Sequence, residues 1–299
     1  MNAVELNELS KTYADGKKAV DCIQLHLAQG EIFGFLGPNG AGKTTTVKLL
    51  GGMLTPTGGS CSVFGIDPGR YPEKAHAHTG VVTEHAQMYD HLTGLENLIF
   101  YGSLFGLSTA ESKSRALSLL AQMELSDARD KKLAAYSTGM RKRLSLARAL
   151  IHQPQVLFLD EPTSGLDPES AQNVHAMIRS LAEEKGITVF LCTHQLRYAQ
   201  EICTRYGFIH DGKLLAQGTL EELRRKVRSG ITVKIKAKGL PAKLPYTAVG
   251  ENEYQISVQS EAEIPQIVRS IVENNGELYH ISAESPSLED LYFILASQA

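Results

Sequence analysis

Nine consecutive residues, Gly37-Pro38-Asn39-Gly40-Ala41-Gly42-Lys43-Thr44-Thr45, constrain this chain more than any others. They fit the pattern G-x-x-x-x-G-K-[ST] of the phosphate-binding P-loop. Gly37, Gly40 and Gly42 let the backbone take positive φ and approach a ligand closely. The N–H groups of such a loop turn inward and form an anion nest. A helix starting near Lys43 adds the positive end of its dipole. Lys43 is then placed to reach β- and γ-phosphates, and the Thr44 hydroxyl to ligate Mg²⁺. The flanks agree with this reading. Residues 31–36 (Glu-Ile-Phe-Gly-Phe-Leu) form an apolar run of strand length, and residues 44–53 can form a helix.

A second motif lies at Gln155-Val156-Leu157-Phe158-Leu159-Asp160-Glu161-Pro162. Four apolar residues in a row predict a strand buried on both faces, as in a parallel sheet. Two carboxylates follow at its C-terminal end, where ligands bind in open α/β sheets. Asp160 is placed to hold Mg²⁺ through water, and Glu161, pointing the other way, to polarise an attacking water as a general base. Residues 187–192 predict another buried strand. It ends at Thr193-His194 on the same edge, which makes His194 a candidate phosphate contact. Ahead of the P-loop, residues 4–9 and 22–27 alternate as half-buried strands. Tyr13 lies between them, placed either to stack on a purine or to pack at a strand end.

Composition narrows the class. The chain has 299 residues, 42% of them hydrophobic, and a formal net charge of −3, which argues against broad nucleic-acid binding. No apolar run nears the ~18 residues that span a bilayer. The first residues lack a charged segment followed by an apolar one, so the sequence predicts a cytoplasmic protein whose membrane role, if any, comes through a partner. Cys22, Cys61, Cys192 and Cys203 show no C-x-x-C spacing and read as reduced structural thiols. His76, His78, His85 and His91 fall in a turn-rich stretch without zinc-site spacing.

The remaining elements follow from periodicity. Residues 60–65 and 80–83 predict strands, the second ending at Glu84. Residues 93–150 are helical, with Leu95, Leu98 and Ile99, then Leu117, Leu120 and Met123, at helix spacing. Residues 169–185 form an amphipathic helix closed by Gly186. Arg224-Arg225-Lys226-Val227-Arg228 reads as a solvated helix end. After residue 229 the composition shifts. Residues 231–236, 253–258 and 278–283 alternate as strands. Ser260-Glu261-Ala262-Glu263 is a capping box opening a helix, and residues 287–295 predict a final one.

The discriminating residues are Tyr136-Ser137-Thr138-Gly139-Met140-Arg141-Lys142-Arg143. They resemble the L-S-G-G-Q signature of ATP-binding subunits of ABC transporters, with Ser137 and Gly139 kept, Thr138 in place of glycine and Met140 in place of glutamine. Across roughly residues 2–225, Tyr13 matches the family's adenine-stacking aromatic, Thr193-His194 its switch histidine, and Ser164-Gly165-Leu166-Asp167 its D-loop. The family's Q-loop glutamine falls at Glu84, with Gln87 three residues late. A glutamate there can still bind Mg²⁺ but adds negative charge near the γ-phosphate. The ending Pro286-Ser287-Leu288-Glu289-Asp290-Leu291 resembles that of subunits serving drug, antibiotic, sodium or polysaccharide exporters.

The resemblance implies an α/β fold: a P-loop NTPase core with an antiparallel β subdomain and a helical insertion at about 93–150, together spanning 1–225. Residues 230–299 would form a small C-terminal α+β domain. It implies ATP and Mg²⁺ as cofactors and catalysis by Glu161, His194 and Lys43. ATP would be held by Tyr13, by Gly37 to Thr45, and by Ser137 and Gly139 of a second ATP-binding subunit in a head-to-tail dimer. Thr44, Glu84 and Asp160 would hold the metal. Integral membrane subunits would be the partners, contacted around Glu84 and the insertion, with this chain peripheral on the cytoplasmic face. The other classes are a soluble ABC ATPase acting on ribosomes or DNA, which usually carries two cassettes or a long coiled coil, and a P-loop kinase or GTPase. The last would lack the signature, and no N-K-x-D motif is present.

Overall fold

The chain opens with an antiparallel pair, β1 (Asn2–Thr12) and β2 (Lys18–Ala28), in which Leu6 faces Leu25 and Leu9 faces Ile23. All four side chains are buried, as alternation requires of a sheet covered on one face. β3 (Ile32–Leu36) leads into the P-loop and α1 (Lys43–Leu50), and β4 (Gly58–Val63) returns to the free side of β1, giving the order β2-β1-β4. In this computed structural model, residues 2–84, 88–227, 230–241, 243–258 and 260–298 are described. They divide into two units, 1–217 and 218–299.

The turn-rich stretch holds a short helix, α2 (Pro72–His78), opened by a proline that supplies the φ a first helical turn needs. His76 Nε2 lies 2.8 Å from the Gly51 carbonyl and His78 Nδ1 2.8 Å from Gln155 Oε1. His85 and Gln87 lie outside the described residues. After β5 (Thr79–Val82) come α3 (Gly94–Leu104), α4 (Thr109–Gln122) and α5 (Thr138–Leu150). Capping boxes at Thr93 and Ser108 start the first two, and Ser137 caps the third. The buried face of α4 is Ser112, Ala116, Leu119 and Leu120, so the apolar stripe sits slightly to one side of the Leu117–Leu120 spacing.

β6 (Val156–Asp160), α6 (Pro168–Lys185), β7 (Thr188–Thr193), α7 (Leu196–Ile202), β8 (Arg205–His210) and β9 (Lys213–Gly218) complete a six-stranded sheet ordered β5-β6-β7-β3-β8-β9. Its first five strands are parallel. Every residue of β3, β6 and β7 is buried, and Phe190 packs against Phe33, Phe35 and Phe158 at 5.2–6.1 Å between ring centroids. Leu36 pairs with Thr193, and Asp160 with Cys192, so the P-loop, the carboxylates and His194 leave the sheet at one edge.

The second unit contains α8 (Leu220–Val227), β10 (Ile231–Lys238), β11 (Thr247–Gly250), β12 (Glu253–Val258), α9 (Ile264–Glu273), β13 (Glu277–Glu284) and α10 (Leu288–Ala296), with sheet order β11-β12-β10-β13. Ile267 and Ile271 of α9 pack on Val233, Ile235, Ile256 and Val258. The division falls at residues 217 and 218, ahead of the 225–230 expected from composition, because α8 packs on α10. Leu223, Leu288 and Leu291 are fully buried, and Arg224 Nε donates to the Pro286 carbonyl at 2.9 Å. The basic run therefore starts with an anchored arginine rather than a solvated one.

Candidate functional site

The P-loop fits its place through its glycines. A Cβ on Gly37 would lie 2.2 Å from the Ile209 carbonyl oxygen. One on Gly42 would lie 2.3 Å from that of Ala19, and Gly42 has φ +112°. Backbone is packed where any other residue would place its side chain, so the loop lies flat on β8 and β2. Lys43, 5% exposed, donates from Nζ to the carbonyls of Gly37 at 2.7 Å and Pro38 at 3.1 Å. Its ammonium is thus folded back along the loop, 3.5 Å from Glu161 Oε1.

Glu161 is the most constrained carboxylate of the site. Oε1 accepts from the His194 backbone N–H at 3.0 Å and lies 2.8 Å from His194 Nδ1, and Oε2 accepts from the Thr193 hydroxyl at 3.0 Å. Its backbone has φ +49°, a costly conformation for a residue with a side chain, of the kind stored at functional sites. Asp160, 2% exposed, differs. Its Oδ1 is buried without a hydrogen-bond partner. Burial raises its pKa above the usual carboxylate value, with the Thr44 hydroxyl acting in the opposite direction. A buried carboxylate oxygen without a donor, beside the Thr44 hydroxyl and with Glu84 nearby, is a hard oxygen set that fits a Mg²⁺ ion.

These groups line one cavity of about 180 Å³, walled by Tyr13, Asn39, Gly40, Gly42, Lys43, Thr44, Thr45, Glu84, Asp160 and Glu161. Lys17 and Ala19 also face it and were not expected from sequence; Lys17 ends a turn closed by Tyr13 N–H donating to its carbonyl at 2.9 Å, and Ala19 lies in β2. The Tyr13 hydroxyl is 3.2 Å from Thr45 Oγ1, which fixes the ring at the cavity rim. Ser137 and Gly139 do not line this cavity. Ser137 is exposed at the start of α5, where its hydroxyl accepts from Met140 N–H at 3.3 Å. A larger cavity, about 500 Å³, opens at the opposite, N-terminal edge of the sheet beside Arg115, Gln155 and Thr188. It carries neither the loop nor the paired carboxylates, and the chemistry belongs to the smaller one.

Lys142 lies within the signature stretch, where the sequence alone shows no role for it. Its half-buried ammonium donates to the carbonyls of Glu84 at 2.9 Å and Glu161 at 3.3 Å, and burial lowers its pKa. The Ser164 hydroxyl donates to Glu84 Oε1 at 3.2 Å. Only the basic run 141–143 signalled this in the sequence.

Fold and site together define a P-loop NTPase. Residues 20–164 match the ABC transporter family. The chain is 41% identical over 77% of its length to the daunorubicin/doxorubicin resistance ATP-binding protein DrrA of Streptomyces peucetius, covering 69% of that protein. It is 31% identical to the bacitracin transport ATP-binding protein BcrA of Bacillus licheniformis, over 97% of this chain and 96% of that protein. Among solved structures, the dimeric post-hydrolysis state of the ATP-binding cassette MJ0796 bound to ADP and Pi superposes with a TM-score of 0.67 at 28% identity, over 73% of this chain and 98% of that one. The chain belongs to the ABC transporter family as an ATP-binding subunit of the exporter-like branch. It binds and hydrolyses ATP and powers an exporter through separate membrane subunits. Subunits of this kind dimerise. Among the described residues no helix is long and apolar enough to cross a membrane.

Proposed function

We propose that hydrolysis proceeds with Glu161 as general base, in a site shared by two ATP-binding subunits. The observation that carries this is the Glu161 carboxylate, held by His194, Thr193 and Lys43 on the wall of the P-loop cavity. Water attacks the γ-phosphorus, its proton passes to Glu161, and the bond to the β,γ-bridging oxygen breaks to leave ADP and phosphate. His194 orients Glu161, and in the tautomer protonated at Nδ1 it donates to Oε1. Lys43 exchanges the Gly37 and Pro38 carbonyls for β- and γ-phosphate oxygens, while the loop's N–H groups from Gly37 to Thr45 cradle the phosphates. Tyr13 stacks on adenine. Thr44, Glu84 and Asp160 would hold Mg²⁺, which when bound neutralises charge on the phosphates.

The second subunit, a further copy of this chain or a homologue, presents Ser137 and Gly139 to the γ-phosphate. What supports this is the exposed N-terminus of α5, thirteen residues long with no acidic residue in its first turn, which leaves its positive end available to an anion. The dimer sits on the cytoplasmic face of the membrane against the integral subunits. Relatives named for daunorubicin/doxorubicin resistance and bacitracin transport support an exported cargo of the same resistance-conferring kind.

Glu161→Gln tests the reading. An amide cannot take the proton, so turnover should fall about 10²–10⁴-fold while ATP binding persists and the ATP-loaded dimer accumulates. Full turnover in the folded variant, measured by phosphate release, would remove Glu161 from the chemistry.

A further inference from the structure

Three consecutive cations follow the signature, and the structure sends them in three directions. Arg141 Nη1 pairs with Asp90 Oδ1 at 2.6 Å. Arg143 Nη1 donates to the Met123 carbonyl at 3.1 Å and to Glu124 Oε2 at 3.1 Å. Only Lys142 turns to the site, where Nζ donates to the carbonyls of Glu84 and Glu161.

Those carbonyls belong to residues 77 positions apart in sequence, brought together because β5 and β6 are parallel neighbours, with Val82 opposite Leu159. Glu84 follows the end of one strand and Glu161 the end of the other. The carbonyl of Glu161 belongs to the residue at positive φ, so Lys142 bonds the peptide whose direction aims the Glu161 side chain. The Glu161 N–H is fixed separately by the Cys192 carbonyl at 2.9 Å. On the other arm, Arg148 Nη2, also from α5, donates to the Val81 carbonyl at 3.2 Å, so one helix grips the segment 81–84 at two places. Ser164 closes the triangle through the Glu84 carboxylate. Lys142 does not itself line the cavity, although Glu84, Asp160 and Glu161 all do. It stands five residues from Ser137, about 7.5 Å along the helix axis.

We infer that Lys142 is a positioning residue for hydrolysis: its ammonium binds the peptides of Glu84 and Glu161 to α5, so that the seating of the helix N-terminus sets the aim of both carboxylates. This rests on the role given to Glu161 above. Lysine serves here because an ammonium presents three donors around one point and can hold two carbonyls from different strand ends at once. A neutral side chain of similar length would leave both carbonyls without that donor and free the segments to move apart.

The test uses the full chain purified with its membrane subunits and measures steady-state ATPase alongside binding of a fluorescent ATP analogue. Lys142→Met should lower kcat about tenfold or more, with KM for ATP and analogue affinity moving less than about twofold. Lys142→Arg, which keeps a cation with several donors, should recover at least about a third of the lost kcat. Should the methionine variant not fold, Lys142→Leu, which also lacks a donor, is read by the same criteria. A kcat within about twofold of the parent, a matching loss of ATP affinity, or an arginine variant as slow as the methionine one would overturn the inference. Glu161→Gln, run in parallel, separates the two claims. If it stays active, the reading of Glu161 fails; if it is inactive while Lys142→Met is fully active, only the role of Lys142 fails.

Discussion

Glu84 stands at a junction of the site, and its surroundings say what its charge demands. Its carboxylate lines the phosphate cavity together with those of Asp160 and Glu161, its Oε1 accepts from Ser164, and its carbonyl is held by Lys142. Three acidic groups around one small cavity repel one another unless a cation sits among them, and Lys43, 3.5 Å from Glu161, is one such cation. Glu84→Gln removes one charge and keeps an acceptor for the Ser164 hydroxyl, so coupled ATPase should stay within about threefold of the parent. Glu84→Ala removes both the acceptor and the metal-facing oxygen, and coupled ATPase should fall about tenfold or more. If the alanine variant is fully active, the glutamine role does not reside at position 84. At this scale the sequence was informative where the chemistry is contiguous. Residues 37–45 and the pair Asp160-Glu161 announce themselves because loop and strand end are each written in one stretch. The junction of Lys142, Ser164 and Glu84 does not, because it exists only once α5 is laid across the ends of β5 and β6.

Among elements, legibility followed burial pattern and length. Residues 156–159 of β6 and 189–192 of β7 were plain as apolar runs because parallel strands are covered on both faces. β1, β2, β10 and β12 were plain because one covered face makes alternation. The seven-residue α2 and α7 gave no signal: α2 buries only Ala75 and α7 only Ala199 and Ile202, too few to show a period. β8 and β9 went unread although Asp211-Gly212, at φ 45° and 80°, is itself a two-residue hairpin signal, because neither flanking strand alternates buried and exposed residues. α1 shows how tightly an element can depend on one position. Its N-cap Gly42 has φ +112°, and an added Cβ would overlap the Ala19 carbonyl on β2. Gly42→Ala should therefore displace the start of α1, costing about 1–3 kcal/mol from backbone strain alone. ATP affinity should fall more than thermal stability does, because the displaced N–H groups are those that face phosphate. Calorimetry of unfolding and of nucleotide binding on the same variant checks this; unchanged ATP affinity would contradict it.

At the scale of the whole molecule, the residues assigned to the chemistry all fall in the first of the two units. Tyr13, the P-loop, Glu84, Asp160, Glu161 and His194 all precede residue 217. Composition placed the boundary after the basic helix; the packing of α8 on α10 places it before. That difference makes the choice of end point a test. A chain ending at Ser229 keeps α8 but loses α10. Leu220, Leu223 and Val227 recur at helix spacing, and the face they form would lose the helix it packs on. A chain ending at Thr219 keeps β9 and removes that helix entirely. The shorter chain is therefore expected to be the better behaved of the two, monodisperse in light scattering where the longer one associates nonspecifically. It should bind ATP within about threefold of the full chain. If the second unit steadies the pairing of two ATP-binding subunits, the shorter chain carrying Glu161→Gln should form its ATP-loaded dimer about tenfold more weakly than the full chain with the same substitution. Equal dimerisation would leave the second unit with no part in pairing, and a large loss of ATP affinity would place part of the nucleotide site beyond residue 219.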